Sequence, residues 1–199
     1  MDRYPDGQWD YFRFYQTHFE QTVSDFDADI PATLASIYRR GKPAAVGQLS
    51  PTASVTRNGG RYGAAHRAPP MPPDVALWPA LDFDALVEAF QARGFRAANA
   101  WYLNDTANLA YARAAPNEGC LSQPVLYIDG DWDPICDINR SRVGEPMSRV
   151  CQDLSLRASR PVTGCHSSAR SRASKRSVRG LKREGSRYVN SAKLAPDLT

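Results

Sequence analysis

Long apolar runs are missing from this 199-residue sequence. No apolar stretch approaches the roughly 20 residues that a membrane-spanning helix needs, so we expect no membrane span. Met1 is followed by Asp2, Arg3 and a Pro-Asp-Gly turn rather than by an apolar segment, so we expect no signal peptide. These absences predict a cytoplasmic protein.

Cysteine and histidine are scarce, and their spacing does not suit a metal site. The three histidines and four cysteines include no C-x-x-C pair. Among these residues only Cys165 and His166 are neighbours, so we expect no structural zinc. We expect reduced cysteines and neither a metal nor another cofactor.

Positive charge is concentrated near one end of the chain. The net charge is +4 overall, but residues 157–199 hold eleven Lys and Arg against two acidic residues, a net of +9, which leaves −5 for residues 1–156. Such asymmetry is typical of an arm that binds nucleic acid or a membrane. The stretch RPVTGCHSSARSRASKRSVRG (160–180) is rich in Ser and Arg and has almost no apolar residues, which predicts disorder.

Four stretches carry apolar residues at helical spacing, with no strand between them. Asp29 and Gly41 predict the cap and the αL stop of the second helix, and Asp82 and Gly94 those of the third. Residues 41–81 are rich in Gly, Pro and Ala, which predicts a long loop of the kind that is usually functional or disordered. The predicted helices span residues 8–27, about 30–40, 81–94 and 100–115.

The periodicity changes in QPVLYIDGDWDPIC (123–136). Its apolar run, residues 125–128, is followed by acidic and turn residues, which is typical of a buried parallel strand. Since one parallel strand needs neighbours, we expect the rest of its sheet to lie outside this chain. A short helix is predicted over residues 145–154, with inward-facing Met147, Val150, Cys151 and Leu154.

Several short motifs follow one another in a fixed order over residues 8–154. They are FYQTHFE (14–20), IPATLASIYRRG (30–41), GF followed by NAWYLN (94–104), QPVLYIDGDWDPIC (123–136), EPM (145–147) and CQDL (151–154). In order and spacing the series resembles the cap helices, the return to the sheet and the acid-bearing loop of α/β-hydrolases of the soluble epoxide hydrolase family. The resemblance implies an α/β fold, with a helical cap and a remnant of the parallel sheet.

The resemblance also implies a chemistry. In that family two cap tyrosines donate hydrogen bonds to the epoxide oxygen, and a carboxylate attacks carbon to form an ester. A histidine, oriented by a second carboxylate, then activates the water that hydrolyses the ester. Tyr15 and Tyr102 match the two tyrosines, and Asp133 matches the orienting carboxylate. Gln16 and Trp101 would belong to the substrate pocket.

Each of these residues also has a structural interpretation. Tyr15 lies on a helix rich in apolar and aromatic positions, and Tyr102 follows a tryptophan, so the pattern alone also allows core packing for both. Asp133 also suits a turn or a helix cap. Its acidic neighbours compete for the same role: Asp129, Asp131 and Asp137.

Other parts of that machinery have no match in the sequence. No G-x-D or G-x-S-x-G nucleophile elbow and no His-Gly oxyanion segment occurs, and we expect both upstream of this chain. His18 and His66 are expected to be structural or exposed, and His166 lacks the Gly-His-Trp context of the catalytic histidine. We therefore expect this chain alone to be an inactive fragment.

The basic tail begins where the catalytic histidine is expected. Codons for residues 162–165, shifted by one base, can encode Gly-His-Trp, so our hypothesis is a frameshift near residue 155–160. The alternative is a genuine arm that binds nucleic acid through phosphate contacts. We expect nucleic acid not to be a partner, because the tail has no regular RS or RGG repeat and Tyr188 is its only aromatic residue.

Together these features predict a partial α/β-hydrolase in three regions: a mostly helical cap over 1–118, a core remnant over 119–155 and a disordered basic tail over 156–199. The implied activity of the intact family is hydrolysis of a small-molecule epoxide to a diol, which the tyrosine pair favours. A haloalkane dehalogenase or another α/β-hydrolase is the alternative. A dehalogenase needs Trp or Asn donors for its halide, and Trp101 is one candidate.

Overall fold

A computed structural model describes residues 4–139 and 141–159. Helices and a parallel sheet both form, which confirms the α/β class, while the predicted tail lies outside the described residues from residue 160 onward. Among the described helices, none has both the length and the apolar character that crossing a bilayer requires. The elements are α1 (Asp10–Thr17), α2 (Phe19–Asp27), α3 (Ile30–Ile37), α4 (Ala80–Arg93), α5 (Arg96–Ala100), α6 (Asp105–Arg113), β1 (Leu121–Gly130), α7 (Glu145–Val150) and β2 (Cys151–Ser159).

The predicted helix over residues 8–27 forms as two helices that meet at His18. There the backbone leaves the helical region, with φ −126° and ψ 44°. The His18 imidazole stacks on the Phe14 ring with centroids 4.5 Å apart, and its Nδ1 lies 2.9 Å from the Thr17 hydroxyl. These local contacts, which apolar spacing does not reveal, favour a break over one continuous helix.

Helix α3 confirms its predicted beginning and corrects its predicted end. The Asp29 carboxylate accepts a hydrogen bond from the Ala32 amide at 3.0 Å, as an N-cap should. The helix ends before residue 40, and Gly41 does not adopt a positive φ. The reason is a tertiary contact, since Arg40 donates to the Asp74 carboxylate from its backbone N–H (3.1 Å) and from its Nε (3.0 Å).

Helix α4 ends at Gly94 as predicted, but it begins after Pro79 rather than at Asp82. The next predicted helix, over residues 100–115, is interrupted: a 3₁₀ turn at Trp101–Asn104 separates α5 from α6. Within this turn the Tyr102 carbonyl accepts a hydrogen bond from the Gln16 side chain of α1 at 2.9 Å. Tyr102 therefore contacts α1 at the point where the chain changes from α-helical to 3₁₀ geometry.

The Pro- and Gly-rich excursion over residues 41–81 packs against helix α1. Ala53 and Val55 are at most 1% exposed and belong to the core. The Asp10 carboxylate accepts hydrogen bonds from the Thr56 amide and from its hydroxyl, both at 2.7 Å. The excursion is mostly loop, as predicted, with 3₁₀ turns at Pro43–Ala45, Pro51–Ala53 and Gly63–Ala65.

The hydrophobic core lies between helices α1 to α5 and the excursion. An apolar stripe of α4 contributes to it, because Phe83 is buried and Leu86, Val87 and Phe90 pack against it. The buried members of the core are Phe14, Tyr15, Phe26, Leu34, Ala35, Val55, Phe83 and Phe95. Aromatic residues thus make up five of these eight, and three of the five come from the aromatic face of residues 8–27.

Two predictions about the sheet are wrong. Strand β1 has a partner within the chain, the parallel strand β2, in register from Pro124 opposite Asp153 to Gly130 opposite Ser159. The predicted helix over 145–154 therefore ends at Val150, and its last residues form part of β2 instead. Backbone pairing with β1 outweighs the helical spacing of these side chains, and β2 continues past residue 155.

The sheet is largely exposed within the described part of the chain. Leu126 and Ile128 of β1 are 55% and 56% exposed, and Leu156 of β2 is 48% exposed. Parallel sheets in proteins are normally covered on both faces. The exposed apolar side chains of this two-stranded sheet are therefore of the kind that neighbouring layers normally cover.

Gly94→Ala should destabilise the fold by about 1–3 kcal/mol. Gly94 has φ +66° and ψ −174°, a conformation nearly reserved for glycine, and an added Cβ would lie 2.9 Å from the Asp27 carboxylate. Urea unfolding followed by circular dichroism measures the change. The control is Gly119→Ala, which combines φ +78° with open space around the added Cβ. Equal losses in the two variants would show that the Asp27 contact contributes nothing.

Candidate functional site

Two tyrosines that are far apart in the sequence meet in the structure. Tyr15 on α1 and Tyr102 in the turn after α5 lie with ring centroids 5.1 Å apart and planes at 72°, edge to face. Tyr15 is 3% exposed, and Tyr102 is half-buried. The structure thus brings together the two phenols that the resemblance matched to the cap tyrosines.

A third phenol, Tyr11, completes what we call the tyrosine cluster: Tyr11, Tyr15 and Tyr102. The Tyr11 ring centroid lies 5.5 Å from that of Tyr15 and 5.7 Å from that of Tyr102, again edge to face. Phe12 and Phe26 flank the cluster, at 4.8 Å from Tyr102 and 5.7 Å from Tyr15. Edge-to-face packing of this kind stabilises the rings beyond their burial.

Gln16 joins helix α1 to the turn that carries Tyr102. Its Nε2 donates to the Tyr102 carbonyl at 2.9 Å and also contacts the Asp105 carboxylate. The side chain predicted to line the substrate pocket therefore positions Tyr102 in this structure. Its contact with a substrate stays a prediction.

An arginine from the excursion faces the tyrosine cluster. The Arg61 guanidinium lies against the hydroxyls of Tyr15 and Tyr62, and the Tyr62 hydroxyl lies 3.0 Å from Ser36 Oγ. Arg61 also lines a cavity of about 750 Å³. Across residues 4–139 and 141–159, no carboxylate forms an ion pair with Arg61.

Burial and the neighbouring cation act on the cluster in opposite directions. Burial raises the pKa of Tyr15 to about 12, against the lowering effect of Arg61. Burial likewise raises the pKa of Tyr11 and that of Tyr102. For Arg61, burial lowers the pKa, but the facing oxygens of Tyr15 and Tyr62 raise it and set the net direction. At neutral pH the site therefore holds protonated phenols beside a charged guanidinium.

Asp133 lies in the loop that follows β1. Its Oδ1 accepts hydrogen bonds from the backbone N–H groups of Ile135 at 2.8 Å and Cys136 at 3.3 Å. The Ile135 carbonyl in turn accepts from the Gln8 side chain at 2.8 Å and from the Trp9 indole at 3.0 Å. Asp133 thus shapes the loop that docks beside the beginning of α1, which is the turn role that its sequence position also allowed.

Two of the three competing acids near this loop are more deeply buried than Asp133. Asp129 and Asp137 are each 7% exposed, and the Asn139 side chain donates to Asp129 at 2.8 Å. Burial raises the pKa of the Asp129 carboxyl, and the nearby Asp137 raises it further, while the Asn139 hydrogen bond lowers it. The environment of Asp129 makes its carboxyl a weaker acid than a free aspartic acid, so this residue is also a candidate for acid–base chemistry.

Trp101, the other predicted pocket residue, lies at the surface. It is 70% exposed, whereas its neighbour Tyr102 makes the ring contacts of the cluster. The turn at Trp101–Asn104 therefore brings one of its two aromatic residues into the cluster.

Among the described residues, the histidine that pairs with a carboxylate does so at Asp25 and not at Asp133. His66 Nδ1 lies 3.0 Å from Asp25 Oδ1, and the Asp25 side chain is 3% exposed while His66 is exposed as predicted. His18 contacts Phe14 and Thr17, so neither described histidine is hydrogen-bonded to Asp133. His166 lies outside the described residues. No three His, Cys, Asp or Glu side chains converge as a metal site in the part of the chain that the structure describes.

Sequence reasoning missed Arg61, Tyr62 and the role of Tyr11. In the helical spacing of residues 8–27 the Tyr11 phenol is not distinguished from a phenylalanine. Arg61 and Tyr62 lie in GGRYG (59–63), inside a stretch predicted as loop. The available signal was the length of that loop, since long excursions within a domain are usually functional when they are ordered.

The buried phenols should make stability depend on pH in the alkaline range. Because the folded state holds the Tyr15 proton up to about pH 12, against a reference pKa of 10.0, the free energy of unfolding should fall as pH rises between these values. The slope for Tyr15 is at most roughly 1.4 kcal/mol per pH unit. Urea unfolding across this range measures it. Tyr15→Phe should flatten the slope, and Tyr111→Phe, which alters an 84% exposed ring, should leave it unchanged.

No protein-family model matches the sequence, and no curated protein matches it. The functional conclusion therefore depends on the tyrosine cluster, the cation beside it and the acidic loop.

Proposed function

We propose that the described residues are the cap and the acid-bearing strand of an epoxide hydrolase-like α/β-hydrolase. In this proposal Tyr15 and Tyr102 bind the oxygen of a small-molecule epoxide. The observation that carries the proposal is the edge-to-face contact of these two tyrosines, which are the two that the motif series matches to the cap tyrosines of the family. Packing of α1 against the 3₁₀ turn does not by itself require Tyr15 and Tyr102 to be in contact.

The chemistry of epoxide opening explains why such a pair is useful. The leaving group is an alkoxide, and negative charge develops on the epoxide oxygen as the ring opens. Two preorganised O–H donors in a site that excludes water stabilise this charge more than water does. A phenol is protonated at neutral pH, and burial raises the pKa of Tyr15 further, to about 12, so its hydroxyl keeps the proton that it would donate.

Arg61 supports the same role. Its guanidinium faces the Tyr15 hydroxyl and lowers the pKa of this phenol against the effect of burial. A cation that contacts the phenol oxygen polarises the O–H bond, so the proton becomes a better hydrogen-bond donor. Arg61 is in this proposal a positioning residue, which acts on the substrate oxygen through Tyr15.

The position of Trp101 favours an epoxide over an alkyl halide. A haloalkane dehalogenase needs indole or amide N–H donors directed at the departing halide, and Trp101 was the candidate donor of that kind. Trp101 is 70% exposed and lies outside the tyrosine cluster. A halide bound beside its indole would therefore be solvated. The donors that are buried together are phenols.

The exposed sheet also fits the proposal. An α/β-hydrolase covers its parallel strands with further strands and with helices on both faces. Strands β1 and β2 are parallel, and Leu126, Ile128 and Leu156 carry apolar surface that such neighbours would cover. The acidic loop, with Asp133, follows β1 at the carboxyl end of the strand, where the orienting carboxylate of the family would be placed.

The oxygen atom of the ligand should be needed for binding. Styrene oxide should bind more tightly than phenylcyclopropane, which has the same shape and no oxygen. Removing one donor in Tyr15→Phe or Tyr102→Phe should weaken styrene oxide by roughly two- to tenfold, the value of one hydrogen bond. Saturation-transfer NMR titrations of both ligands measure the difference.

The matched control is Tyr111→Phe, which removes an exposed phenol from α6. It should retain the preference for the oxygen-containing ligand. Equal affinities of styrene oxide and phenylcyclopropane for the unmodified protein would contradict the proposal.

Hydrolysis of styrene oxide by this chain alone should not exceed the rate in buffer. The 199 residues contain no nucleophile elbow, and a phenol pair without an attacking carboxylate opens no ring. Chromatography of the diol product measures turnover. A rate above buffer that is lost in Tyr15→Phe would show that a nucleophile is present in the chain and that the fragment interpretation is wrong.

A further inference from the structure

We infer that the cavity beside Arg61 binds a small organic monocarboxylate with an apolar body. This inference does not rest on epoxide binding, since it concerns the cavity side of Arg61 rather than the hydroxyls of Tyr15 and Tyr102. It follows from the charge of the cavity, from the composition of its wall and from its size.

One positive charge in the cavity wall has no acidic partner among the described residues. The described lining includes two arginines, Arg61 and Arg67, and no acidic side chain. Arg67 donates to the Asp29 carboxylate at 3.0 Å, so its charge is paired. Arg61 faces phenols, and no described carboxylate pairs with it. One cation is therefore left for a ligand, which favours a monoanion over a dianion.

The guanidinium of Arg61 is the donor that the cavity offers to an oxygen ligand. Asn58, Ser36 and Tyr62 line the same cavity. The Ser36 hydroxyl donates to the Thr33 carbonyl at 2.8 Å and lies 3.0 Å from the Tyr62 hydroxyl, so these two hydroxyls bond within the protein. A guanidinium presents two parallel N–H groups to the two oxygens of a carboxylate, and this geometry makes arginine the usual partner of that group.

The rest of the wall is apolar, and the volume suits more than a simple ion. Pro51, Pro69, Pro70, Ala65 and Ala68 line it. A volume of about 750 Å³ lies within the range of small-molecule sites. An inorganic anion would leave this apolar wall uncovered, whereas an aromatic or aliphatic acid would bury it.

The test compares 1-naphthylacetate with 1-naphthylacetamide, two probes of the same shape that differ in charge. Equilibrium dialysis of the full chain should show tighter binding of the acid by roughly tenfold or more, the value of a charge-assisted hydrogen bond. Arg61→Gln should abolish the preference, and Arg61→Lys should retain part of it because the charge remains. The control is Arg57→Gln, whose side chain pairs with Asp6 and does not line the cavity. Equal binding of acid and amide to the unmodified protein would overturn the inference.

A second measurement on the unmodified protein applies if the Arg61 variants fail to fold. Phenylglyoxal modifies accessible arginines, and peptide mass spectrometry reports the rate at each site. Added 1-naphthylacetate should slow the modification of Arg61 at least threefold and leave that of Arg57 unchanged, whereas the amide should protect neither. Unchanged modification of Arg61 in the presence of the acid would count against the site, and protection by inorganic phosphate to the same extent would show that the apolar wall is not used.

Discussion

The burial of Tyr15 is the constraint on which the rest of the described structure depends. Its ring contacts Phe26 of α2 and Tyr102 of the turn after α5, and its hydroxyl faces Arg61 of the excursion. One residue of α1 thereby connects three segments that are far apart in the sequence. A phenol is suited to this position because its ring fills the core while its hydroxyl accepts from the cation that the excursion brings.

Much of the helical layer could be predicted from the sequence because its determinants are local. The Asp29 cap and the stop at Gly94 depend on neighbouring backbone groups, and the pattern shows them directly. The early end of α3 could not be predicted in this way, because Arg40 leaves the helix for Asp74, a partner that only the fold brings near. Strand β2 was missed for the same reason, since Cys151 at its beginning sits at helical spacing but pairs with β1.

The candidate site likewise contains residues that could be predicted and residues that could not. The pairing of Tyr15 with Tyr102 was predicted because the resemblance supplied a reason for two distant phenols to meet. Arg61 was not predicted, because nothing in GGRYG indicates that a loop arginine will be brought against them. For Asp133 the prediction is correct in part. Its loop follows the strand as predicted, but its carboxylate accepts hydrogen bonds from backbone amides. The deeper burial of Asp129 depends on tertiary structure, which the sequence pattern does not show.

Arg61 links the two proposed sites, because its guanidinium faces the Tyr15 hydroxyl and the same residue lines the cavity. Its effect on Tyr15 depends on how much of its charge is neutralised on the other side. A carboxylate bound in the cavity would reduce the pull of Arg61 on the Tyr15 oxygen, so the pKa of this phenol would rise further and the phenol would become a weaker donor. A neutral ligand would leave that pull intact. An epoxide at the tyrosines and a carboxylate at the cavity should therefore bind with negative coupling, and by linkage each should weaken the other by the same factor.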